Sequence, residues 1–313
     1  MQIPGRKGAA AGLPRPRPSR ATRRQNWILF AFAAPALLLY VVFFVVPTLQ
    51  SVQYSVTNWD GYSPSFDYVG LDNFVRALTN DDLFLNALAN NLKFWLVVVI
   101  FQTFFALILA IFLMKESRGS SLLRGVFFFP TILSSISVAY IWKFIYDPNF
   151  GLGNRILEAV GLGQFSSAFL GDDRQAIYWV ALTQVWFHAG QMMTIFVAGL
   201  QSVPSELYEA AEVDGASRWR RFRHVTWPMI APATAIVLAY TTIQAFKAFD
   251  LILGLGGNPP KGSLDIMSTR IYTTFANGEF GYAAAQSLLF VATIGIVTWL
   301  LKRGAALTQP SSE

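Results

Sequence analysis

Six separate stretches of the chain stay apolar for about the thickness of a bilayer: Trp27 to Val46, Phe94 to Leu113, Val126 to Tyr146, Ile177 to Leu200, Ile230 to Leu251 and Ala283 to Leu301. A helix needs roughly 20 such residues to cross the hydrocarbon layer, and within lipid only a helix or a closed barrel satisfies its own backbone hydrogen bonds. The period-2 alternation of barrel strands is absent, so each block reads as a spanning helix. Composition agrees, since 54% of the 313 residues are hydrophobic and 13% are charged, whereas soluble domains average about 25% charged. The expected fold is an all-α polytopic membrane protein with six transmembrane helices. Charge intrudes on the fifth block, where Lys247 and Asp250 fall near the end.

Lysine and arginine in the loops set the orientation. With the N-terminus inside, that side collects Arg6, Lys7, Arg15, Arg17, Arg20, Arg23 and Arg24, then Lys115, Arg118 and Arg124. It also takes Arg218, Arg220, Arg221 and Arg223, and finally Lys302 and Arg303. The opposite loops carry Asp60, Asp67, Asp72, Asp81, Asp82, Asp147, Glu158, Asp172, Asp173, Asp265 and Glu279. Both termini are therefore expected in the cytoplasm, N-in and C-in. Residues 1–25 read as a disordered basic tail, 26–303 as the six-span domain and 304–313 as a short C-terminal tail. The Arg23-Arg24 pair before an apolar run is reminiscent of a twin-arginine export signal, but further blocks follow, and an uncleaved signal anchor is expected. The net charge of +6 is spread over block ends and the tail rather than one face, so no nucleic-acid partner is expected.

Several chemistries are excluded by what the chain lacks. There are no cysteines and only two histidines, His188 and His224, so disulfides, iron–sulfur clusters and thiolate or His-rich metal sites are not expected. No phosphate-binding loop is present: in Gly257-Asn258-Pro259-Pro260-Lys261-Gly262-Ser263 the Lys and Gly stand in the wrong order, on the outer side. The chain is expected to be no enzyme and to hold no cofactor of its own. Proton- and sodium-driven carriers usually bury carboxylates near the membrane midplane, yet no Asp or Glu lies mid-block here. An external energy source is the better expectation than a stand-alone ion-coupled carrier. A membrane-embedded lipid enzyme would need a His/Asp/Glu cluster, and His224 beside its arginines is the only candidate.

The cytoplasmic loop 201–228 carries the densest local signal. Pro204 suits a helix first turn, Glu206 and Glu209 favour its positive end, and Gly215 offers a C-terminal stop about three turns later. Leu207, Ala210 and Ala211 then form a small-residue stripe with Glu206, Glu209 and Glu212 beside it. Residues alone leave two readings open, a docking surface or an interfacial helix whose arginines meet anionic lipid.

Glu209-Ala210-Ala211, Gly215 and, further on, Val225 with Pro228 resemble the EAA signature of the permeases of binding-protein-dependent ABC importers. Val225 and Trp227 replace the more usual Ile and Leu. Gly70-Leu71-Asp72-Asn73-Phe74, Ile141-Trp142-Lys143-Phe144, Asp147-Pro148, Gly151-Leu152-Gly153-Asn154 and Gly281-Tyr282-Ala283-Ala284-Ala285 are similar to carbohydrate importers. More narrowly, the chain resembles the maltose F-type and glycerol-3-phosphate A-type subunits, although Leu255-Gly256-Gly257-Asn258-Pro259 departs from their Thr-Gly-Gly-Gly-Pro. The resemblance implies a type I importer permease fold in a bacterial-type cytoplasmic membrane. It implies partners too: a second permease, two cytoplasmic ATPase subunits that hold ATP and magnesium, an extracytoplasmic solute-binding protein and a sugar, oligosaccharide or sugar-phosphate solute. In that family the Glu209 to Gly215 loop docks on the ATPase, with Pro228 closing the motif.

Gln184, His188 and Gln191 share one helical face of the fourth block at i, i+4 and i+7. They line a solute path or glue helices together, two readings of equal weight, and Trp142 or Trp186 could offer a stacking face. Ser134, Ser135 and Ser137 invite the same question with packing preferred. Gln244, Lys247 and Asp250 are the corresponding path candidates in the fifth block, where Lys247 and Asp250 could pair at i, i+3.

Overall fold

The computed structural model describes residues 20–308, as two compact units that meet at Ser51. The first unit is helical: α1 (Arg20–Tyr40) passes through a π turn (Val41–Val45) into α2 (Val46–Tyr54), which carries the chain into the second unit. The expected N-terminal tail lies largely outside the described residues, and α1 already begins at Arg20. At the other end, residues 309–313 lie outside them.

The second unit opens with α3 (Asp72–Val75) and then α4 (Asp82–Leu113), whose first turn is capped by the Asp81 carboxylate accepting from the Phe84 amide at 2.9 Å. Next come α5 (Arg118–Phe128), α6 (Ser135–Ile145), α7 (Leu152–Ala159), α8 (Ala176–Gln201) and α9 (Ser205–Val213). The chain continues through α10 (Arg218–Arg221), α11 (Trp227–Met229), α12 (Ala231–Phe246), α13 (Asp250–Gly256), α14 (Met267–Ala276) and α15 (Phe280–Thr308). Among the described residues the only β pairing is an isolated bridge between Thr57 and Tyr68.

The most extensive helix pairing is α4 against α8. Phe94 and Val98 meet Ile177, Val180 and Phe187 at one level, and Ala106 and Ala110 meet Met192, Met193 and Phe196 at another. Small residues let the backbones approach, as membrane packing requires. The limit is reached at Gly190, where an added Cβ would sit 1.9 Å from the Phe127 carbonyl oxygen of α5.

Among the described residues, three helical stretches are long and apolar enough to span a membrane: Trp27–Tyr54, Asp82–Leu113 and Phe280–Leu301. Two bent pairs pass the same test together, Arg118–Ile132 with Ser135–Ile145 at 100° and Arg218–Met229 with Ala231–Phe246 at 66°. The third and fifth blocks are therefore not the continuous helices expected. In the third, Pro130 lies in a 3-10 turn (Phe129–Ile132), and Ser134 caps the next helix by accepting from the Ser137 amide at 3.2 Å. In the fifth, the helix stops at Phe246 and restarts at Asp250. The fourth block is one helix of 26 residues, but it is not among the spans of sufficient apolarity. Gln184, His188 and Gln191, polar residues within it, lower its hydropathy.

Candidate solute cleft and coupling helix

A cleft of about 300 Å³ opens between the middle of α8 and the break that separates α12 from α13. Gln184 and His188 line it from α8, Tyr240, Ile243 and Gln244 from α12, Lys247 and Asp250 from either side of the break, and Ser135 from the start of α6. The break is what turns both charged residues into the cleft. Lys247 caps α12, its amide donating to the Ile243 carbonyl at 3.0 Å, and Asp250 belongs to the first turn of α13. The expected Lys247–Asp250 ion pair does not form. An i, i+3 approach needs a continuous helix, and the backbone is not helical between them.

Gln191 does not line the cleft but bonds to two residues that do. The Gln244 side-chain amide donates to Gln191 Oε1 at 3.0 Å, and Gln191 Nε2 donates to the Tyr240 hydroxyl at 3.2 Å. From α4, Gln102 Nε2 donates to Gln244 Oε1 at 3.2 Å and to Thr241 Oγ1 at 3.3 Å. Sequence reasoning missed Gln102 and Tyr240. The available signal was that Gln102-Thr103 is the one polar interruption of the Phe94 to Leu113 block. Of the three serines, Ser135 lines the cleft, while Ser134 and Ser137 bond each other at 2.8 Å. Trp142 and Trp186 meet edge to face, with ring centroids 5.4 Å apart.

The loop 201–228 forms α9, with Pro204 at its cap rather than in its first turn. The C-terminus is closed as the sequence predicts. Gly215 adopts φ +70°, its amide donates to Glu212 at 3.0 Å and the Ala216 amide to Ala211 at 2.9 Å. That is the Schellman arrangement, in which glycine alone reaches the left-handed region without strain. Tyr208 anchors the inner face through a 3.1 Å hydrogen bond with Thr226 Oγ1, and Glu212 pairs with Arg221 at 3.1 Å. Glu206, Glu209 and Ala210 are exposed and Ala211 is half-buried. Neither Glu206 nor Glu209 has an ion-pair partner among the described residues. Pro228 lies in α11, in the helix pair bent by 66°.

The segment between α13 and α14 is tied down from several sides. Asn86 and Asn90 of α4 both donate to the Gly262 carbonyl, at 2.7 and 2.9 Å. Lys261 pairs with Asp173 at 3.0 Å, and the Ser263 hydroxyl and Lys261 together hold the Asp173 carboxyl below the usual carboxylate range. Burial pushes the Asp265 carboxyl up, opposed by a 2.7 Å bond from Arg270 Nε.

Bent helices around a polar cleft, with an exposed helix in a separate loop, define a polytopic helical permease. Residues 102–303 match the family described as binding-protein-dependent transport system inner membrane component, and the chain belongs to that family. It is 34% identical over 283 residues to the probable ABC transporter permease protein YurN of Bacillus subtilis, covering 89% of this chain and 96% of that one. It is also 34% identical over 309 residues to the diacetylchitobiose uptake system permease protein NgcF of Streptomyces coelicolor, covering 93% and 87%. A crystal structure of a bacterial ABC transporter involved in the import of the acidic polysaccharide alginate shares the fold, with a TM-score of 0.78, 23% identity and coverage of 92% of this chain and 98% of that one.

Proposed function

We propose that this chain is the permease subunit that forms half of the translocation pathway of an ATP-driven sugar importer. A second permease supplies the other half, an extracytoplasmic solute-binding protein delivers an oligosaccharide or sugar phosphate, and two cytoplasmic ATPase subunits hold ATP and magnesium. The family and the sugar named for a relative at 34% identity support this reading. Six crossings with both termini inside are counted as α1 with α2, α4, the bent α5 and α6, α8, the bent α10 to α12, and α15.

The observation that carries the reading is α9. Within the family match, its C-terminus is closed by the chain's own backbone hydrogen bonds while Glu206, Glu209 and Ala210 are left on the surface. A helix held rigidly at its base and unpartnered on its face suits transmission of ATPase closure to the helices around the cleft. There, amides, imidazole, phenol and one charge of each sign suit a polyhydroxylated solute.

The test is to tag the chain, extract it in mild detergent and identify what copurifies in fixed stoichiometry. Recovery of an ATPase and a second permease is expected, with the ATPase lost in Glu209→Lys while the two permeases stay together. A chain that purifies alone overturns the heteromeric reading, and normal ATPase recruitment by Glu209→Lys overturns the docking role of α9.

A further inference from the structure

We propose that Gln102, which does not line the cleft, is a positioning residue: it starts a one-way chain of amide hydrogen bonds that turns the Tyr240 hydroxyl hydrogen and a Gln244 N–H toward the solute. The inference rests on the importer reading and adds to it a residue and a polarity.

The chain runs Gln102 to Gln244 to Gln191 to Tyr240 across α4, α12 and α8, with donor–acceptor distances of 3.2, 3.0 and 3.2 Å. Every link joins a nitrogen to an oxygen, so all of them point the same way or all are reversed. Amide nitrogen and oxygen are nearly isosteric, and the bonding network decides between them. Gln102 settles the direction because it is completely buried. As described, its Nε2 serves two oxygens, Gln244 Oε1 and Thr241 Oγ1, and its Oε1 is the atom without a partner. Reversal would put the two N–H donors of Gln102 where that lone oxygen now sits. Orphaned N–H groups are rarer in protein interiors than under-satisfied carbonyls, so the interior selects the first direction.

The selected direction fixes what the cleft presents. The carbonyl oxygen of Gln244 is occupied by Gln102, which leaves the second N–H of Gln244 for the cleft that this residue lines. The Tyr240 oxygen accepts from Gln191, so its hydrogen points elsewhere, and Tyr240 also lines the cleft. With Lys247 beside them, this wall presents donors: O–H, N–H and ammonium. It reads the acceptor oxygens of a sugar, and its polarity is set by a buried residue away from the cleft lining.

The test places 3-fluorotyrosine at position 240 of the full chain in its purified complex and reads the fluorine NMR resonance, with a second label at the exposed Tyr62 as control. Gln102→Met keeps the side-chain length and removes the donors. It is expected to move the resonance at 240 and leave that at 62 unchanged. In a Gln191→Met background, where the chain is already cut, Gln102→Met is expected to add nothing. An unmoved resonance at 240, or shifts that simply add, overturns the relay. Gln191→Met alone tests the last link without touching the core if Gln102→Met fails to fold. In the assembled transporter, Gln102→Met is expected to raise the KM for diacetylchitobiose about tenfold, the cost of one misdirected hydrogen bond, with Vmax kept. The rise is expected to vanish in a Tyr240→Phe, Gln244→Met background, and an unchanged KM overturns the positioning role. Failure of the unaltered complex to take up this sugar counts against the solute class and leaves the NMR result to judge the relay.

Discussion

The cleft and the α9 helix use polar side chains in opposite ways. Around the cleft, Gln102, Gln244, Gln191 and Tyr240 bond to one another across three helices. On α9, Glu206 and Glu209 stay exposed without an ion-pair partner among the described residues, while the C-terminal turn, Tyr208 and Glu212 carry bonds to residues beyond the helix. The difference follows from the solvent. A polar group at membrane depth has no water to fall back on, so neighbouring helices must satisfy it. A carboxylate on an exposed helix face is satisfied by water. The cleft is thus bonded from within the chain, and the face of α9 is left open to solvent.

Removing the close approach between α5 and α8 should have the largest effect. Gly190→Leu places side-chain atoms where a Cβ alone would lie 1.9 Å from the Phe127 carbonyl. A loss of about 3 kcal/mol is expected, read as a lower unfolding temperature in detergent and poor recovery of folded protein; unchanged unfolding would show that α5 and α8 separate easily. Breaking the other region should leave the fold intact. Gly215→Pro cannot reach φ +70°, because proline is locked near −65°, so ATPase copurification is expected to fall to background while membrane insertion persists. Gly215→Ala, which costs about 1 kcal/mol in the left-handed region, is expected to retain most of it.

The double change Gln184→Leu with His188→Leu sharpens the comparison from the cleft side. Uptake is expected to fall about tenfold, as for loss of a solute hydrogen bond, while the complex still assembles and hydrolyses ATP. Unchanged uptake by a folded complex would return both residues to helix packing. The smallest effect belongs to Arg221→Gln. Its partner Glu212 is 74% exposed, and such surface pairs contribute about 0.5 kcal/mol, so ATPase recruitment measured by copurification is expected to change less than twofold.

Much of this was legible along the chain. The bilayer-length blocks pointed to helices, and the α9 helix with its glycine stop was readable because a cap is a local affair of a few consecutive residues. The i, i+4, i+7 spacing put Gln184, His188 and Gln191 on one face, and the helix keeps that face intact. Continuity of the third and fifth blocks was not legible, since a proline and a serine cap permit a 100° bend without requiring one. Nor was the fate of Lys247 and Asp250, whose spacing suits an ion pair only if the helix runs on.

The sequence by itself determined where the chain is apolar, which local segments can cap themselves and which family it belongs to, because those properties depend on neighbours in the chain. Only the tertiary structure decided that Gln102 reaches Gln244, 142 residues away, and that Gln191 bonds to cleft-lining residues without lining the cleft itself. Contacts of that kind depend on how closely α4, α8 and α12 approach, and their packing is set by side chains drawn from the whole of the second unit.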